Sequence, residues 1–151
     1  MMADQCGLRR AQPRDGGPAR SRRNLTMTLP AAHQAVRMAR HATSDALAAW
    51  RLAHMEETAV LLVSELVTNA VQHARGTHAI ALELQADRSW LRIEVQDGDP
   101  RWPQPRTPAG FDESGFGFVL VDALAGKWGV RETAAGKAVW AELNDFDVSS
   151  D

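Results

Sequence analysis

Between Ala59 and Ala74 the apolar residues fall at Ala59, Leu62, Val63, Leu66, Val67, Ala70, Val71 and Ala74. That is the i, i+3, i+4, i+7 spacing of one helical face, and Gly76 follows as a C-terminal stop. A weaker stripe of Ala35, Ala39, Ala42, Ala46, Ala49 and Ala53 predicts an earlier helix over Ala31–Ala53, small enough on one side for close approach to a neighbour. Pro30 stands where its first turn begins, after an extended piece around Asn24–Leu29. Thr43, Ser44 and Asp45 offer caps for a break near Ala42–Ser44.

The period then changes from 3.6 to 2. Ile80, Leu82 and Leu84 alternate with Ala81 and Glu83, and Asp87–Arg88–Ser89 reads as a turn. In Trp90–Asp97, Leu91, Ile93 and Val95 point one way while Arg92, Glu94 and Gln96 point the other. Residues 98–114 carry four prolines and no periodicity, the profile of a lid or binding loop. An apolar helical run through Phe118, Leu120, Val121 and Leu124 follows, closed by Gly126. Two strands, Lys127–Glu132 and Lys137–Leu143, finish the pattern around a turn at Thr133–Gly136, with Val139, Ala141 and Leu143 facing one way and Ala138, Trp140 and Glu142 the other. This order predicts an α+β, two-layer sandwich with helices packed on one face of a mostly antiparallel sheet.

Composition sharpens the boundaries. Of 151 residues, 44% are hydrophobic and 24% charged, enough for one packed domain. Residues 1–24 hold six arginines against two aspartates, a net +4 with little apolar content, and read as a disordered basic arm. The domain is expected over residues 25–145, with a tail over 146–151. The other 127 residues carry 11 basic and 17 acidic side chains, a net −6, which argues against binding a nucleic acid backbone. The longest apolar run is seven residues, Gly115–Val121, too short to cross a bilayer. Arg22–Arg23 is followed by no apolar stretch of the kind an export signal needs. A single cysteine, Cys6, excludes an internal disulfide and a cysteine-built zinc site, and fits a cytoplasmic setting.

Three places carry candidate chemistry. On the strongest helix, Glu65, Asn69 and His73 form one row along the edge of the apolar face, either lining a cleft or simply bordering solvent. Alternation puts Asp97 on the apolar side at its strand's end, where a carboxylate is costly unless it is paired or has work to do; the alternative is that the strand stops at Gln96 and Asp97 opens the turn. Gly115 and Gly117, just before the third helix, would let backbone N–H groups approach an anion. A dinucleotide site would need a third glycine where Leu120 stands, and no phosphate-loop motif with its lysine is present.

Taken in order, these features resemble the GHKL superfamily of ATP-binding domains (gyrase, histidine kinase and MutL type). The likeness is nearest to single-domain anti-sigma-factor serine/threonine kinases of the actinobacterial kind, and it spans roughly Leu25–Leu143. Glu65-Leu66-Val67-Thr68-Asn69-Ala70-Val71-Gln72-His73 is similar to the N box, and Ser114-Gly115-Phe116-Gly117-Phe118 to the G2 box. Lys127-Trp128-Gly129-Val130 and Gly136-Lys137-Ala138-Val139-Trp140 are similar to that group's closing strands. The resemblance implies ATP and Mg²⁺ as cofactors. By it, Asp97 accepts a hydrogen bond from the adenine amine, Asn69 holds Mg²⁺, and Glu65 is the general base. His73 approaches the phosphates or borders the cleft, and Gly115 and Gly117 leave room for them. The implied partners are proteins, a sigma factor or a STAS-type anti-anti-sigma factor, and a homodimer fits the pattern. The G1 box departs from Asp-x-Gly-x-Gly: it reads Asp97-Gly98-Asp99-Pro100-Arg101, which bears on affinity and turnover. The alternative is a nucleotide-weak or non-catalytic protein-binding regulator on the same fold.

Overall fold

The computed structural model describes residues 22–73, 79–98 and 113–144. Its elements in chain order are β1 (Arg23–Pro30), α1 (Gln34–Ala49), a 3-10 turn (Ala53–Met55), α2 (Glu56–His73), β2 (Ala79–Ala86), β3 (Trp90–Asp97), α3 (Glu113–Leu124), β4 (Lys127–Glu132) and β5 (Lys137–Asn144). The five strands form one antiparallel sheet in the order β1-β2-β3-β5-β4. α2 packs against both α1 and α3 and lies on β3 and β5. Leu62, Val63, Leu66 and Val67 of α2 meet Leu82, Leu84, Leu91, Ile93, Ala141 and Leu143 of the sheet in one core. Burying that continuous apolar face is what holds the two layers together.

Three local expectations are corrected. Pro30 does not open a helix: it ends β1 opposite Ala79, and α1 starts at Gln34. Proline suits this edge strand because it withholds an N–H from the ladder. α1 does not break near Ala42–Ser44, since the Thr43 hydroxyl donates back to the Ala39 carbonyl (2.8 Å) within the helix. Ser44 instead donates to Glu56 Oε2 (2.9 Å) at the start of α2. α1 stops at Ala49, short of Ala53, because Arg51 takes the left-handed conformation (φ 62°). The Leu52 N–H reaches the Leu47 carbonyl (2.8 Å) and that of Arg51 the Ala48 carbonyl (3.2 Å), a Schellman closure that delivers Leu52 into the core.

The face of the sheet away from the helices is polar, as alternation requires, yet tightly ordered. Arg92 on β3 bonds Glu94 Oε1 and Glu142 Oε2 (both 3.1 Å) and lies over the Trp140 ring at 4.6 Å from its centroid. Arg131 on β4 also pairs with Glu94. β1 begins at Arg23, two residues inside the stretch assigned to the arm, pairing with Ala86. The remainder of the arm and the tail lie outside the described residues. No helix among the described residues is long and apolar enough to cross a membrane.

Candidate functional site

The register shows how distant residues reach one end of the sheet. β3 ends at Asp97, directly opposite Lys137 at the start of β5. β2 starts at the same end, because Ala81 pairs with Gln96. α2 finishes at His73, six residues before β2 begins, so its C-terminal half approaches that end too. The chain leaves β3 there, enters α3 at Glu113, and reaches β4 at the far end, where Lys127 lies opposite Glu142.

Each predicted residue can be placed. Glu65 and Asn69 sit one turn apart on α2, both half-buried beside the core positions Leu66 and Ala70. They therefore border the apolar face rather than point to open solvent. Partial burial raises the pKa of the Glu65 carboxyl above its ordinary value, because the charged form loses solvation. His73 is the last residue of α2; its side chain lies outside what is described. Gly115 and Gly117 fall within the first turn and a half of α3, not ahead of it, since the helix begins at Glu113. Helix starts are commonly displaced by a residue or two in this way. The proline-rich segment 99–112, with Asp99, Pro100 and Trp102, lies outside the described residues.

Asp97 is part of the strand, its side chain on the core side with Leu91, Ile93 and Val95. It is also paired. Lys137 Nζ lies 3.0 Å from Oδ2 and 3.1 Å from Oδ1, with the two side chains 6% and 3% exposed for Lys137 and Asp97 respectively. Sequence alone places Lys137 in a closing strand and gives it no role in the site. The signal that finds it is alternation: stepping back from Leu143, Ala141 and Val139 puts Lys137 on the apolar side, as the same count does for Asp97.

The donors present suit a nucleotide and its cation. Mg²⁺ takes few protein oxygens when phosphates supply the others, and Asn69 offers one neutral hard oxygen. Gly115 and Gly117 put no Cβ on the first turns of α3, where N–H groups lack helical partners. A separate open groove of about 1500 Å³ runs between α1 and α2, lined by Arg37, Arg40, His41, Glu56, Glu57 and Leu61 among others. None of the predicted site residues lines it.

Comparison with known proteins agrees with this fold. Residues 29–143 match the family model described as the histidine kinase-like ATPase domain. An uncharacterized protein of Streptomyces coelicolor is 37% identical over 83 residues, covering 53% of this chain and 79% of that protein. Among solved structures, the RsbU and RsbW domains of Rv1364c from Mycobacterium tuberculosis superpose with a TM-score of 0.61 at 22% identity. That match takes in 81% of this chain, which spans about a third (32%) of the solved one. A histidine kinase domain from the blue-light activated histidine kinase EL346 of Erythrobacter litoralis gives 0.46 at 21% identity, over 66% of this chain and 50% of that one.

Proposed function

The chain belongs to the histidine kinase-like ATPase family, and from that premise we propose that it is an ATP-binding regulator that transfers phosphate to a serine or threonine of a partner protein. The observation that carries the reading is a buried carboxylate at the end of β3, in a sheet covered by the helix α2 that bears the half-buried Glu65-x-x-x-Asn69 row. In this reading Asp97 accepts from the exocyclic amine of adenine. Asn69 holds Mg²⁺, which when bound would neutralise charge on the phosphates. Gly115 and Gly117 let the phosphates approach the α3 N–H groups. Glu65 takes the proton from the attacking hydroxyl as its oxygen bonds to the γ-phosphorus and ADP leaves. Its pKa, raised by burial, makes it a stronger base than an exposed carboxylate. The partner proposed is a small STAS-type antagonist, with a sigma factor bound in the alternate state; the fold likeness to an RsbW domain supports this choice.

The test is a calorimetric titration with ATP, with and without Mg²⁺, on the wild type and Asp97→Asn. Micromolar, Mg²⁺-dependent binding that the substitution weakens at least tenfold is expected; no binding by the folded wild type sinks the proposal. One observation favours a second reading. Asp97 already bonds Lys137 through both oxygens, and the G1 box has Asp99 and Arg101 at its two glycine positions, which suits a regulator working by contact alone. Glu65→Gln separates the two: a kinase loses phosphotransfer and keeps its partner, whereas a contact regulator is unaffected.

A further inference from the structure

We propose that the outer face of β3 and β5 is a docking surface, and that its occupant is this chain's own N-terminal segment, Met1–Ser21. The inference is independent of the nucleotide reading. An antiparallel sheet with helices on one side commonly turns its other side to water, so its strands alternate between buried and exposed. β5 does not alternate: the seven residues Lys137–Leu143 are all buried. On the side away from the helices, Ala138 is 0%, Trp140 1% and Trp90 5% exposed. On that same side, Asn24, Thr26 and Thr28 of β1 and Lys127 and Arg131 of β4 are exposed. Burial therefore peaks over β3 and β5 and falls away to both edges. The three described helices pack on the opposite face and do not supply it. Trp140 Nε1 marks the same spot, buried with no hydrogen-bond partner among the described residues, and a buried N–H calls for an acceptor.

Arg22 identifies the occupant. It precedes the edge strand β1, yet its guanidinium lies 5.9 Å from the centroid of the Trp90 ring, two strands away on β3. The chain thus enters this face at that corner. Trp140 stands opposite Glu94, four residues along β3 from Trp90 and one strand across, a span of about 14 Å. About five extended residues cover it, and the five before Arg22 are Gly17-Pro18-Ala19-Arg20-Ser21. Gly17 and Ala19 are small enough for the backbone to lie close on an indole and present carbonyls to its N–H. The tail Asp145–Asp151 also starts beside Trp90, because Asn144 is the ladder partner of that residue. Charge disfavours it. Arg92 and Arg131 already pair with Glu94 and Glu142, so the tail's three aspartates find little to hold them. Glu83 on β2, by contrast, offers Arg20 a carboxylate whose described partner is the neutral Gln85 amide (3.2 Å).

The experiment follows hydrogen exchange at the Trp140 indole N–H by NMR, the signal being assigned with Trp140→Phe. In the full chain it is expected to exchange slowly. Removing residues 1–21 is expected to speed it at least about tenfold, and removing residues 146–151 to leave it within about twofold. Arg22→Glu in the full chain takes the cation off Trp90 without shortening the arm; it is expected to give an intermediate rise, and it decides the matter if the shortened chain does not fold. Fast exchange in the wild type, or a rate unmoved in every folded variant of the arm, overturns the proposal. So does a rise on removing 146–151 alone, which assigns the face to the tail, or protection that grows with protein concentration, which assigns it to a second copy.

Discussion

Replacing Arg92 with Met removes the hub of the outer-face network while keeping most of the side chain's apolar stem. Two charge-assisted contacts disappear, to Glu94 and Glu142, along with the cation over Trp140. Stripping one partner from a buried ion pair costs about 3–5 kcal/mol. The low end applies here, because Glu94 keeps Arg131 and the Gln96 amide (3.3 Å) and is not left bare. We therefore expect a loss of about 3 kcal/mol, a Tm drop on the order of 10 °C for a domain of this size. Urea melts followed by tryptophan fluorescence measure it. Arg92 is 12% exposed and Glu94 5%, so the loss should persist in 1 M salt, where surface pairs are screened. Adding Glu142→Gln should cost less in the Arg92→Met background than alone, by about 1–2 kcal/mol of coupling. A loss under about 1 kcal/mol, or one that salt abolishes, would show the network to be solvated and the reasoning wrong.

Other outcomes follow from single residues. Arg51→Gly relieves a left-handed conformation that costs an L-residue about 1 kcal/mol, so a gain of about 0.5 kcal/mol in denaturant stability is expected after the added unfolded-state entropy. A loss would mean that the Arg51 side chain, not its backbone, matters there. Glu65 binds its proton more tightly folded than unfolded, so wild-type stability should fall as pH rises from the ordinary carboxylate pKa through the raised one. Glu65→Gln should flatten that part of the pH profile and be no less stable than wild type at pH 7. A neutral-pH loss above about 1 kcal/mol would mean the carboxylate is favourably paired.

The elements legible in the sequence were those with unbroken periods. α2 is legible through seven apolar positions in phase from Ala59 to Val71, and β2 and β3 through strict alternation, because each buries one face. The ends of α1 were not legible. Its start is set by how far the β1 ladder runs, and its stop by a residue in an unusual backbone conformation that no side-chain preference signals. In the site, the inward aim of Asp97 could be counted off, but its bond to Lys137 could not. That bond joins residues 40 apart, and it exists only because β5 inserts beside β3 instead of following β4 at the edge. The Arg92 network escaped for the same reason, since it gathers charges from β3, β4 and β5 that are scattered along the chain.

The interior position of β5 also has a consequence for biosynthesis. As the chain leaves the ribosome, β1, β2 and β3 can assemble in order, but β3 then waits with one edge unpaired. Its partner, Lys137–Asn144, is the last of the five strands to be made. Until it emerges, β4 lacks its described ladder partner, Asp97 lacks Lys137, and Glu142 has not reached Arg92. The nascent domain therefore spends its final seconds of synthesis with an open, apolar-backed strand edge, the state that invites chaperones or mispairing. A chain stalled before Lys137 should be handled by the cell as unfolded, even though all three of its described α-helices have already been translated.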